Sequence, residues 1–107
     1  MKLQFSPLAL HDLGEIKEYI STGLGNPSAA QNTLSRILKA ARQLINYPDS
    51  GAPISSVFDI QTDYRFVISG GYIVFYRYES NAVYIVRVLY GKRDYLAILF
   101  GRPDADE

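Results

Sequence analysis

The stretch YRFVISGGYIVFYRYESNAVYIVRVLYGKRD, residues 64–94, decides the fold. It is dense in Val, Ile, Tyr and Phe, the residue types that fit a pleated, half-buried surface. Two punctuations divide it. Gly70-Gly71 has the chemistry of a tight hairpin turn, and Glu79-Ser80-Asn81-Ala82 makes a second turn. The division predicts strands over Tyr64–Ile68, Tyr72–Tyr78 and Val83–Tyr90. The last two carry large residues on both faces, as strands covered from both sides do. The third runs into Tyr90-Gly91-Lys92-Arg93-Asp94, a glycine corner carrying two cations. Packing alone does not call for an Arg inside an apolar strand followed by a basic corner. The pattern suggests positive charge presented at the edge of a sheet, where loop residues carry function.

Upstream of residue 64 the period changes. Asp49 to Thr62 holds Gly51, Pro53 and three serines, which predicts an irregular loop with a short extended piece at Val57–Ile60. Before it, Ala30, Leu34, Ile37, Leu38, Ala41, Leu44 and Ile45 form one apolar helical face, opened by Asn26-Pro27 and stopped by Pro48. A first helix opens at Ser6-Pro7 as cap plus first helical residue. It keeps Ala9, Leu13, Ile16 and Ile20 on one stripe and ends near Gly23 and Gly25. The short link makes the two helices an antiparallel hairpin. Lys2 to Phe5 alternates polar and apolar, the pattern of an edge strand. Arg93 to Phe100 is open between a short helix and a strand, and residues 100–107 read as a flexible tail. The order is β-α-α-β-β-β in a single domain over residues 1–107. The fold class is α+β, a two-layer sandwich of an antiparallel sheet on a helix hairpin.

Composition narrows the chemistry. The chain has 107 residues, no cysteine, one histidine and a formal net charge of zero. Without cysteine there is neither a disulfide framework nor thiolate chemistry. With His11 alone, a histidine-based zinc site is excluded, and neither a metal nor another cofactor is expected. No window reaches the roughly 18 apolar residues of a membrane span, and the N-terminus lacks an apolar run of signal length, so a cytoplasmic protein with no membrane partner is expected. Zero net charge argues against strong nucleic-acid binding. The charge is segregated, however. Cations gather between Tyr64 and Tyr95, and acids gather in the first helix (Asp12, Glu15, Glu18) and in the tail (Asp104, Asp106, Glu107).

Candidate site residues follow from that segregation. Arg65, Arg77 and Arg87 occur one in each successive strand, and Tyr90, Lys92 and Arg93 form the corner. Their bland reading is solvent-facing residues and ion pairs with Glu79 and Asp63. Their functional reading is a cationic cluster on an exposed sheet face, suited to phosphates or an acidic partner. No Ser/His/Asp set, metal spacing or catalytic carboxylate pair is present, so no catalytic residue is assigned.

The ordered set of residues resembles the RelE/ParE superfamily of toxins from type II toxin–antitoxin pairs over about residues 3 to 95. It comprises Phe5-Ser6-Pro7, Asp12-Leu13, Tyr19-Ile20, Pro48, Gly51, Arg65 before the double glycine, Tyr72 to Arg77, and Arg87 to Asp94. The resemblance implies the same β-α-α-β-β-β fold. RelE-like members cut mRNA in the ribosome, using an Arg after the tyrosine that opens the middle strand and a C-terminal tyrosine past the corner. Those positions are Ile73 and Leu99 here. The ParE-like branch is closer, with the corner reading Tyr90-Gly91-Lys92-Arg93-Asp94 where a histidine commonly leads. That likeness implies a growth-inhibiting toxin that binds DNA gyrase, cuts no nucleic acid, and forms a hetero-oligomer with a cognate antitoxin. The site residues then become contacts to the target or the antitoxin. The alternatives are a ribosome-dependent mRNA endoribonuclease using Arg65, Arg87, Lys92 and Arg93, with the ribosome and mRNA as partners, or an inactivated toxin that only binds antitoxin.

Overall fold

A five-stranded sheet in the order β1-β5-β4-β3-β2 organises the chain. The computed structural model describes residues 1–101. The elements are β1 (Lys2–Phe5), α1 (Pro7–Glu18), α2 (Pro27–Asn46), β2 (Ala52–Pro53), β3 (Arg65–Ser69), β4 (Tyr72–Glu79), β5 (Ala82–Tyr90) and α3 (Tyr95–Phe100). A π-helical turn at Tyr19–Gly23 extends α1, and a 3₁₀ turn at Ile54–Ser56 follows β2. The meander β3-β4-β5 is antiparallel, as the turn chemistry predicts, with Ser69 opposite Tyr72 across Gly70-Gly71. Gly70 has φ +60°, a left-handed conformation that a tight hairpin turn demands. β1 lies at the sheet edge as expected and pairs in parallel with β5, from Lys2 opposite Ala82 to Phe5 opposite Ile85. Parallel pairing needs a crossover, and the intervening helices and meander supply it.

Both helix starts follow the sequence. The Ser6 hydroxyl accepts from the Ala9 N–H at 2.9 Å, and the Asn26 side chain accepts from Ala29 at 3.1 Å, each with Pro in the first turn. The hairpin buries Ala9, Ile16, Ile20, Ala30, Ile37, Ala41 and Leu44 against Val74, Tyr76, Val83, Ile85 and Val88. At about 25 cal/mol per Å² of apolar surface, this is the main term holding the fold.

The opposite face of the sheet is also covered. Phe75, Leu89 and Ile54 are buried there beneath Phe58, Tyr95, Ile98, Leu99 and Phe100. This explains the large residues on both faces of β4 and β5. It also settles residues 95–100 as helix, because α3 must lay its apolar side chains on that patch. Two expectations are corrected. The extended piece forms at Ala52–Pro53 rather than Val57–Ile60, because Ala52 and Pro53 pair with Phe66 and Arg65 while the 3₁₀ turn drops Ile54 into the second core. Of the tail expected over residues 100–107, Phe100 closes α3 and stacks near Tyr64 at 5.7 Å, and Gly101 caps the helix. Residues 102–107 lie outside the described residues.

Candidate functional site

β1 is shorter than β5, and this mismatch builds the site. Past Phe5 the outer edge of β5 has no strand partner. The residues that open α1 take over. Ser6 Oγ donates to the Val86 carbonyl at 2.7 Å, and the Val88 N–H donates to an Asp12 carboxylate oxygen at 2.9 Å. A β-bulge sits at the same place, since Phe75 faces Arg87 and the next residue, Tyr76, faces Ile85, leaving Val86 over. Arg87 grips Asp12 with both ends of its guanidinium fork, Nε and an Nη each at 2.8 Å. Asp12 is 4% exposed, and no buried side-chain polar atom among the described residues lacks a hydrogen-bond partner. The hydrogen bond to Asp12 outweighs the cost of burial and raises the Arg87 pKa further, so its charge is fixed at any working pH.

Arg65, Arg77 and Arg87 therefore do not form one cationic cluster. Arg87 is committed to Asp12 at the sheet edge. Arg65 lies opposite Tyr76, on the helix side, and donates to the Gly51 and Asp49 carbonyls at 3.1 and 3.2 Å. Arg77, between the helix-facing Tyr76 and Tyr78, points to the other face, over the Tyr84 ring at 4.9 Å and beside Glu79 and Asp63. Strand alternation separates Arg65 from Arg77, and each carries a local structural load.

The corner behaves differently. The Gly91 N–H donates to the Gly71 carbonyl at 2.9 Å, and Arg93 N–H to the Tyr90 carbonyl at 3.0 Å, which fixes the turn and leaves Lys92 and Arg93 exposed. Neither cation pairs with a carboxylate among the described residues. Arg93 lies at the rim of a groove of about 620 Å³ between α1, the π-helical turn and the ends of β4 and β5. Its walls are Ile16, Tyr19, Ile20, Leu24, Tyr72, Val88 and Tyr90 over the buried Asp12, and Glu15 adds a polar rim. Tyr19 and Leu24 are each 60% exposed and Tyr90 43%, and the groove gathers these three exposed side chains into one patch. Tyr72 packs against Tyr90 with ring centroids 5.7 Å apart. Burial, then the neighbouring Tyr90 and Tyr19, push the Tyr72 phenol up from its ordinary 10.0. The π-helical turn shifts the helical register just where Tyr19 and Leu24 must reach the groove mouth, a common use of such turns.

Sequence reasoning placed Tyr90 and Arg93 at this site and missed Tyr19, Leu24, Tyr72 and Asp12. Asp12 had a signal. It lies three residues after Ala9 and four before Ile16, inside the apolar stripe of α1, where an acid needs a buried partner.

The groove walls are mainly aromatic and aliphatic, with Glu15 and Arg93 as the exposed charged groups beside them. Ile73 and Leu99 both pack in the second core. His11, Asp12 and Glu15 bring donor atoms within 4.8 Å of one another. Both Asp12 oxygens already accept from Arg87, so a cation there would compete with the guanidinium for the same carboxylate.

A family model described as the ParE toxin of type II toxin-antitoxin system, parDE, matches residues 3–95. Among solved structures, a chain of the chromosomal ParDE TA system from P. aeruginosa superposes with a TM-score of 0.68 at 18% identity, covering 84% of this chain and 95% of that one. At that identity the likeness speaks for the fold. No curated protein matches the chain in sequence.

Proposed function

The chain belongs to the ParE toxin family of type II toxin–antitoxin systems, and on that premise we propose that it stops growth by binding DNA gyrase, without cutting nucleic acid, until a cognate antitoxin covers it. The observation that carries this reading is the groove beside the basic corner. It presents aromatic and aliphatic anchors (Tyr19, Leu24, Tyr90) next to an exposed cation (Arg93), the composition of a protein-binding hot spot. A partner segment laid there as a helix would use apolar residues at helical spacing and an acid facing Arg93. The apolar setting of Ile73 and Leu99 supports a toxin that acts by contact, since an RNA-cutting site needs acid and base groups where these side chains sit. The gyrase assignment rests on the family and on the corner Tyr90-Gly91-Lys92-Arg93-Asp94.

Induction of the chain in cells without antitoxin tests the proposal. The expected result is filamentation and DNA-damage signalling while translation continues. Prompt arrest of protein synthesis with codon-specific mRNA cuts would overturn it in favour of a ribosome-dependent nuclease. Harmless overexpression would leave only antitoxin binding.

A further inference from the structure

The cations on the solvent face of α2 have no part in the reading above. They are Arg36, Lys39 and Arg42, all exposed, at steps of three residues. They climb one side of the helix over about 9 Å at roughly 1.5 Å per residue. α2 contains no Asp or Glu, and among the described residues none of the three cations pairs with a carboxylate. Asn32, Ser35 and Gln43 flank them and are also exposed, and no large apolar side chain of α2 is exposed. A second element joins this face. Arg36 lines a recess of about 60 Å³ with Thr33, Ser69, the Gly70-Gly71 turn and Tyr72, which also borders the groove. Two aliphatic hydroxyls, a guanidinium, the Tyr72 side chain and an open glycine turn line a space on the order of one phosphate group.

We propose that this face of α2 binds the sugar-phosphate backbone of duplex DNA, independent of sequence, with one phosphate seated in the recess at Arg36. Charge decides the sign of the partner, because a single-sign surface on a chain of zero net charge is a local attraction for a polyanion. The lack of an apolar anchor decides its class. Protein partners are held by buried aromatic or aliphatic anchors, and α2 exposes no large apolar side chain to serve as one. Phosphates are held by Arg, Lys, Ser, Thr, Asn and Gln, the residue types present here. Three cations make it a weak, salt-sensitive contact, suited to holding the protein near DNA rather than reading bases.

Fluorescence anisotropy with a labelled random-sequence duplex tests this. Neutralising three phosphates predicts a slope of log K against log salt of about −2.7, or about 40-fold weaker binding between about 50 and 200 mM salt. The variant Arg36→Gln/Lys39→Gln/Arg42→Gln should lose that binding and its salt slope. Gln is a good helix former, so circular dichroism should show an unchanged fold. Lys92→Gln/Arg93→Gln, at the other basic site, should bind DNA as the parent does. The proposal is overturned if the parent shows no binding at the low-salt end, if the triple variant binds equally well, or if the corner variant loses the binding instead. Displacement by polyglutamate at lower charge concentration than DNA would also overturn it, assigning the face to an acidic protein.

Discussion

Replacing Asp12 with Ala removes three hydrogen bonds at once, two from Arg87 at 2.8 Å and one from the Val88 N–H at 2.9 Å. It leaves the guanidinium against the edge of β5 with only the more distant Glu15 as counter-charge. Breaking a buried pair by deleting one partner costs about 3–5 kcal/mol. The Arg87 side chain is 17% exposed, so water relieves part of this and the lower end, about 3 kcal/mol, applies. The orphaned Val88 N–H brings the total to about 4 kcal/mol. A domain of this kind has about 5–15 kcal/mol in all, so the loss is a quarter or more of it. Equilibrium unfolding in urea should show the midpoint falling with the slope unchanged, and the melting temperature should drop by about 12 °C or more. Arg87→Met added to Asp12→Ala removes the stranded charge and should restore at least about 1.5 kcal/mol, giving a clear coupling energy. Two single variants that each cost under about 1 kcal/mol and simply add in the double would refute the reasoning, since that is how exposed pairs behave.

Other consequences are as direct. Tyr76→Phe removes a fully buried hydroxyl that donates to the Pro48 carbonyl at 2.6 Å and accepts from the Gly51 N–H at 3.0 Å. Both partners are stranded, and urea unfolding should show a loss of about 1–3 kcal/mol. At Gly51 a methyl group would sit 2.6 Å from the Tyr76 hydroxyl and 2.7 Å from the Phe66 carbonyl, so Gly51→Ala should destabilise by about 1–3 kcal/mol in the same assay. The raised pKa of Tyr72 means that folding favours its neutral phenol. The linked stability is whole below pH 10.0 and falls as pH rises through the folded-state value. Thermal melts above pH 10.0 should show a shallower decline for Tyr72→Phe than for the parent.

The elements that local chemistry dictates were legible in the sequence. Ser6-Pro7 and Asn26-Pro27 start helices because their side chains cap the next turn, and Gly70-Gly71 closes a hairpin because the turn needs a positive φ. What escaped depended on partners distant along the chain. Asp12 and Arg87 lie 75 residues apart, and only the mismatch in length between β1 and β5 brings them together. Residues 95–100 were ambiguous because a short apolar run fits helix or strand, and the uncovered patch of Phe75 and Leu89 decides between them. Arg65, Arg77 and Arg87 read as one cluster only while strand alternation and local acceptors are left out. The groove is invisible to a linear reading, since Tyr19 and Leu24 meet Tyr72 and Tyr90 only after folding.

The central claim is a toxin that acts by contact through the groove and corner. Supercoiling by purified gyrase, titrated with the parent chain and with Tyr90→Ala/Arg93→Ala, tests it most directly. The expected result is inhibition by the parent near stoichiometric ratio, weakened about 30-fold or more in the variant, as loss of a hot-spot anchor of at least about 2 kcal/mol implies. Unimpaired supercoiling with excess parent chain, alongside cleavage of mRNA in a translating extract, would contradict the account.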